Sequence, residues 1–266
     1  MITSDCHLHT EFSADSEAPV REMIEEAIKK GLDAICFTDH DDYGFEAEGI
    51  GALKNPAEYI HTLQELREEY RDKIEIRIGV EIGMQPHLGV HFKELVRDNP
   101  FDFVIGSTHI VDGKDPYFGE MFDEMSDEEV YRHTFLHMAE CMREVPDFDV
   151  VGHMDYIVRY GTKKTKSFSS TRLSDEIDEV LKTAVEMGKG IEINSVGLKY
   201  LGYCHPHKDI LKRFRELGGE ILTIGSDAHQ PEYIAYRFPE VLEVIESCGY
   251  KYYTEFVSRK PVFKKI

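Results

Sequence analysis

Thr3-Ser4-Asp5-Cys6-His7-Leu8-His9 is the stretch that decides the fold. It reads as a short strand, Thr3–His7, that runs on into a pair of histidines. Alternate side chains of an extended chain share a face, so His7 and His9 point one way and Leu8 the other. Two imidazoles converging at a strand end form a common metal-binding geometry. The competing reading is two surface histidines, and an H-x-H alone does not separate the two. The rest of the chain does.

Six further apolar runs have the length and β-branched content of strands: Ala34–Thr38, Glu75–Ile82, Phe103–Ser107, Phe148–Val151, Gly190–Asn194 and Glu220–Gly225. Amphipathic stretches fill the gaps. Val20, Met23, Ile24, Ala27 and Ile28 follow helical spacing between Pro19 and Gly31. Asn55-Pro56 opens a second helix, and Ser126 with Glu129 makes a capping-box pattern for a third. Ser174 is placed to cap a helix carrying Ile177, Val180 and Leu181. Two more carry Ile210, Leu211 and Phe214, and Val241, Leu242 and Ile245. Met84–Phe92 reads as a loop, and Tyr252–Val257 as an extra, peripheral strand. Strand–helix alternation on this scale predicts a parallel sheet. Seven units in one domain spanning 1–266 predict a barrel related to the eight-unit form, with its site at the C-terminal ends of the strands.

The chemically active side chains collect at those ends. After His7 and His9 come Thr38-Asp39-His40, Glu81, Ser107-Thr108-His109, Gly152-His153-Met154-Asp155 and Ser226-Asp227-Ala228-His229, with Asp15 in the first loop. Any one of them has a bland reading as a core histidine or a helix cap. Six such endings on one rim favour a metal site. The candidate ligands are His7, His9, Asp15, His40, Glu81, His109, His153, Asp227 and His229. One zinc needs about four. The set therefore suits two or three divalent ions with Glu81 as a bridge, and its mixed nitrogen and oxygen donors fit Zn, Fe or Mn.

Charge narrows the chemistry. The chain has 31 Lys+Arg against 51 Asp+Glu, a net −20, with 41% hydrophobic residues, enough for a packed core. So acidic a chain repels nucleic-acid backbones and anionic membrane surfaces. Clustered ions reverse the sign locally, and the resulting pocket suits a compact dianion such as a small phosphomonoester. Bound metals favour its hydrolysis by lowering the pKa of water and clamping the attacking and leaving oxygens. Met1–Asp5 lacks a basic start and an apolar core, no uncharged run approaches the ~18 residues of a membrane helix, and the five scattered cysteines form no C-x-x-C pair. The expectation is a cytoplasmic chain.

The ordered set H-x-H, F-T-D-H, a glutamate ending the third strand, S-T-H, G-H-x-D and S-D-A-H, over residues 5 to 229, resembles the PHP (polymerase and histidinol phosphatase) superfamily. Asp5–Ser16, Gly152–Tyr160 and Glu192–Leu198 are most similar to its free-standing histidinol-phosphatases. The resemblance implies a distorted (β/α)7 barrel with a trinuclear centre. His7, His9, Glu81 and Asp227 would serve one metal, Glu81, His109 and His153 a second, and Asp15, His40 and His229 a third. It implies hydrolysis of L-histidinol phosphate in histidine biosynthesis, by attack of a metal-bridging hydroxide. Arg159 would bind phosphate, and Lys199 with it. Asp227, His229 or His205 would give the leaving alcohol its proton.

By position alone, Tyr117, Phe118, Asp42 and Tyr43 are candidates for reading the rest of the substrate, and the loop with His87 and His91 for approaching the mouth. Asp39 and Asp155 stand beside ligand histidines as orienters. His61, His133 and His137 read as helix residues without a ligand role. The main alternative is a broader small-molecule or nucleotide phosphoesterase with the same ligands. An amidohydrolase is opposed by Glu81 standing where those enzymes often place a lysine. A non-catalytic metal-stabilised module and a DNA-end nuclease are the remaining alternatives.

Overall fold

The computed structural model describes residues 1–45, 51–163 and 168–266. Among these residues the strands are β1 (Ser4–Leu8), β2 (Ala34–Phe37), β3 (His40–Asp41), β4 (Glu75–Gly83), β5 (Phe103–Ser107), β6 (Val150–Val151), β7 (Gly190–Asn194), β8 (Leu222–Gly225), β9 (Tyr252–Val257) and β10 (Lys260–Lys265). The helices are α1 (Val20–Lys29), α2 (Pro56–Tyr70), α3 (Gly89–Asp98), α4 (Glu120–Glu124), α5 (Asp127–Glu144), α6 (Ser174–Glu186), α7 (Gly197–Tyr200), α8 (Lys208–Glu216) and α9 (Phe238–Ser247).

Seven parallel strands run β1-β2-β4-β5-β6-β7-β8, and the short β3 continues β2 alongside β4. The ends of this sheet meet at the rim. Asp227 N–H donates to the His7 carbonyl at 2.9 Å, and His9 N–H donates to the Ala228 carbonyl at 3.0 Å. The result is a nearly closed α/β barrel, as the strand count predicts.

The helices bury their apolar faces against the outside of this sheet. Val20, Met23, Ile24 and Ala27 of α1 and Tyr59, Leu63 and Leu66 of α2 join the main core with Ile76, Ile78, Val80 and Ile82 of β4. A second apolar cluster, Cys6, Cys36, Phe103, Ile105, Val150 and Phe256, comes from the barrel strands and β9. Cys6 belongs to this cluster, and its neighbour His7 belongs to the rim. Regular alternation would send the two to opposite faces. The β1–β2 register shifts between Asp5 and Leu8, and this irregularity turns both inward.

Three features depart from the sequence expectations. Met84–Phe92 is not a loop, because a 3-10 turn at Pro86–Leu88 leads into α3 there. Ser174 is the first residue of α6 and makes no side-chain cap. Tyr252–Val257 is a strand with the expected bounds, but it is not peripheral. β9 pairs antiparallel with β10, buries Tyr253, Thr254, Glu255 and Phe256, and stacks Phe256 on Phe103 at 5.0 Å. Glu255 there pairs with Arg77 of β4 at 2.7 Å, both buried. The hairpin thus plugs the end of the barrel opposite the histidines.

Candidate metal centre

All nine candidate ligands, eight from strand ends and Asp15 from the first loop, come together at one rim. Glu81, fully buried at the end of β4, lies at their middle. Its Oε2 is 3.1 Å from His7 Nε2, 3.5 Å from His9 Nε2 and 3.0 Å from His40 Nδ1. Its Oε1 is 2.8 Å from His153 Nε2 and 3.3 Å from His109 Nε2, and accepts a hydrogen bond from Ser107 Oγ at 2.5 Å. Each carboxylate oxygen therefore faces its own set of imidazoles, the arrangement of a bridging ligand. Asp227 Oδ1 is 3.2 Å from His9 Nε2 and 3.6 Å from His7 Nε2. Asp227 takes φ 55°, a left-handed conformation that a non-glycine residue adopts at a cost and that recurs at functional sites. On the outer side, Asp15 Oδ2 is 2.9 Å from His229 Nε2 and 3.6 Å from His40 Nε2.

A ring of supports fixes the imidazoles from behind. His7 Nδ1 meets Glu192 Oε1 at 2.6 Å, and the other Glu192 oxygen accepts from His153 N–H and Asn194 Nδ2. His109 Nδ1 meets Asp42 Oδ1 at 2.8 Å. His9 Nδ1 meets Ser13 Oγ at 3.1 Å, and Ser13 Oγ donates to Asp39 at 2.8 Å. With Nδ1 occupied, Nε2 of His7, His9 and His109 is left to face the centre.

Asp39 therefore orients His9 through Ser13, as its place suggests. Asp155 instead holds His205, Oδ1 to Nδ1 at 2.5 Å. Glu192 as an orienter escaped the sequence reading, and Asp42 supports His109 beside whatever it offers the cleft. The available signal for Glu192 was a carboxylate inside the apolar run Ile191-Glu192-Ile193.

Among the described residues, four groups have ligand atoms that lie within 4.8 Å of one another: His7-His9-Glu81, Glu81-His109-His153, His9-His40-His229 and His40-Asp42-His109. His9 Nε2 and His40 Nδ1 are buried without a hydrogen-bond partner, although carboxylate oxygens stand 3.2 and 3.0 Å away. Their lone pairs and the carboxylates converge instead of aligning as donor and acceptor, which suits a shared cation. Electrostatics agree. Burial pushes the His7 pKa down, but Glu192, Glu81 and Asp227 outweigh it and hold it well above the usual histidine value. His40 and His109 are raised in the same way, His109 to about 10 beside Asp42 and Glu81. His9 is the exception, held low by burial and by His229 and His40. Burial would raise Glu81 and Asp227, yet the surrounding imidazoles keep both well below the carboxylate range. The clusters suit divalent metal ions.

A cleft of about 580 Å³ opens over this centre. Arg159, Lys199, Tyr117, Asp42, Asp227 and His229 are on its wall. Phe118 is not. It stands behind Tyr117, edge-on at 5.3 Å and half exposed. Tyr43 stacks on His91 at 3.7 Å, and neither ring lines the cleft. Of the three proton-donor candidates, Asp227 and His229 face the cleft, whereas His205 is fully buried off its wall. His133 and His137 pair with Asp112, away from the centre.

Comparison with known proteins places this geometry in context. The family model described as the PHP domain matches residues 5–196. The histidinol-phosphatase of Lactococcus lactis subsp. lactis is 34% identical over 85% of this chain and 83% of its own length. A probable histidinol-phosphatase of Clostridium acetobutylicum is 34% identical over 93% and 94%. The crystal structure of the Lactococcus lactis histidinol phosphate phosphatase, complexed with zinc, L-histidinol and phosphate, superposes with TM-score 0.89, covering 98% of each chain at 30% identity.

Proposed function

This chain belongs to the PHP domain family, and on that premise we propose that it hydrolyses L-histidinol phosphate to L-histidinol and phosphate. The observation that carries the reading is the split environment of Glu81 beneath a cleft that also holds Arg159 and Lys199. A relative of nearly the same fold binds zinc, histidinol and phosphate.

His7, His9, Glu81 and Asp227 would hold one ion, Glu81, His109 and His153 a second, and Asp15, His40 and His229 a third. Two or three ions of Zn, Fe or Mn fit these donors. When bound, they supply Lewis acidity and a water of lowered pKa. The protein does the rest. Arg159 and Lys199 bind and orient the phosphate oxygens that face away from the centre. Asp227 and His229 face the cleft where the departing alkoxide takes up its proton; the raised pKa of His229 suits it to the donor's part, whereas Asp227, held as a carboxylate, would only relay. Tyr117 and Asp42 stand where the remainder of the substrate would lie.

We read the whole chain, 1–266, as one catalytic domain acting on a small substrate in the cytoplasm. Its net charge of −20 opposes nucleic-acid partners, no helix among the described residues is long and apolar enough to cross a membrane, and the five cysteines are buried free thiols, which fits a reducing compartment. The test is phosphate release from L-histidinol phosphate, nucleoside monophosphates and p-nitrophenyl phosphate by protein purified without chelator. Preference for histidinol phosphate, abolished by Asp227→Asn and by chelator, is the expected result. Equal turnover of the other esters would overturn the substrate assignment.

A further inference from the structure

Arg159 and Lys199 reach the cleft without a carboxylate partner among the described residues. This is unusual in a chain with an acidic excess of twenty, where arginines such as Arg213, Arg21 and Arg97 each lie within hydrogen-bond reach of a carboxylate. What holds the two cations is aromatic. The Arg159 guanidinium carbon stands 3.5 Å from the centroid of Tyr200, with Tyr160 at 5.5 Å and Tyr156 at 5.9 Å. Lys199 Nζ stands 4.0 Å from the centroid of Tyr233 and 5.5 Å from that of Tyr200. Tyr156 and Tyr160 are tied to one another through their hydroxyls at 2.5 Å. The Tyr200 ring thus lies against Arg159 and within cation–π reach of Lys199.

We propose that Tyr200, aided by Tyr233, is a positioning residue that holds Arg159 and Lys199 ready for the substrate phosphate. The proposal rests on the phosphate role given to those two cations above. The physical reason is the kind of attraction used. An aromatic face draws a cation through its quadrupole and carries no net charge, so it orders the side chain without neutralising it. A carboxylate would order it equally well but would compete with the phosphate for the same donors. Arginine and lysine each lose much rotamer freedom when fixed. Stacking moves that loss to the free protein, so less of it falls on phosphate binding. The Arg159 guanidinium carbon lies 3.5 Å from the Tyr200 centroid, and a ring face accepts no N–H hydrogen bond of the carboxylate kind, so the donors are left for phosphate oxygens.

The experiment compares Tyr200→Leu, Tyr200→Phe and Tyr233→Leu with the wild-type metal-loaded enzyme. Tyr200 is 39% exposed, so replacing it leaves no buried cavity. Steady-state kinetics on histidinol phosphate, inhibition by inorganic phosphate and metal content are measured together. In Tyr200→Leu, KM and the phosphate inhibition constant should rise in parallel by about tenfold, within the range of a desolvated cation–π contact. The turnover number and metal content should stay near wild type. Tyr200→Phe, which keeps the ring face, should match wild type, and Tyr233→Leu should show a smaller rise. Wild-type KM and inhibition constant in Tyr200→Leu would overturn the proposal, as would an equal loss in Tyr200→Phe or a fall in turnover with KM unchanged. Arg159→Gln serves as the separate control. If it leaves phosphate inhibition unchanged, the phosphate role of Arg159 fails, and the positioning proposal falls with it for a different, identifiable reason.

Discussion

Glu81 and Glu192 are both buried carboxylates at the barrel rim, yet their surroundings assign them different parts. Five imidazole nitrogens surround the oxygens of Glu81. Glu192 instead meets His7 from behind and takes the His153 backbone N–H. Replacing a group that only orients a ligand costs 10–100-fold in metal affinity or activity in comparable sites. Glu192→Gln is therefore expected to lower metal retention and phosphate release by about that factor while far-UV circular dichroism stays unchanged. Wild-type retention after dialysis would show that the Glu192–His7 contact does not set the ligand's orientation.

At the scale of one element, β4 shows how an inner face is built to carry a site. Its outward residues Ile76, Ile78, Val80 and Ile82 pack into the helical layer. Its inward ones are Arg77, paired with Glu255 at the plugged end, Gly79 and Glu81. Gly79 is small because the strands crowd there. A Cβ at that position would lie 2.8 Å from the Phe103 carbonyl oxygen and 2.9 Å from Cys36 Sγ. Gly79→Ala is expected to lower unfolding free energy by about 1–3 kcal/mol, as overpacked cores do, measured by urea denaturation. A neutral result would mean that β4 and β5 can part at that level.

The same strand shows what a sequence can and cannot disclose. The Ile/Val run of β4 and the six other barrel strands were legible because each apolar run is long enough and is followed by polar or histidine residues at its end. Eight of the nine rim residues were legible for the same reason, since chain position puts them at strand termini, and Asp15 stands in the loop just after the first. α3 was not, since Phe92 is its one buried residue among those described, too few to set a period. The depth of β9 and the partners of Glu192 and Asp42 are tertiary facts. No local pattern says which strand end a carboxylate will face, or that Phe256 will find Phe103.

Over the whole molecule, the acidic excess makes the charge state of the rim a matter of stability. Burial opposes a charged His109, but Asp42 and Glu81 prevail and hold its pKa near 10 in metal-free protein. A raised histidine contributes stability that is fully present below its unfolded value of about 6.5 and is lost as pH climbs through the folded one. Chelator-treated protein is thus expected to lose urea resistance steadily between about pH 7 and 10. Metal-loaded protein should lose less, because the charge facing those carboxylates no longer titrates there. Parallel curves for the two forms would refute this account.

The hydrogen bonds that join β1 to β8 tie together two segments far apart along the polypeptide. Asp5 and Ser226 are 221 positions apart. A ribosome exposes His7 and His9 early, long before Asp227 and His229 exist. Until β8 emerges, the nascent chain owns an open clasp: the two early imidazoles have Glu81 on one side and nothing yet on the other. The complete ligand set therefore appears only once residue 229 has been added, and a message cut short before β8 yields a product that lacks Asp227 and His229. Translation through His229 is in this way written into the ability of the product to hold its ions.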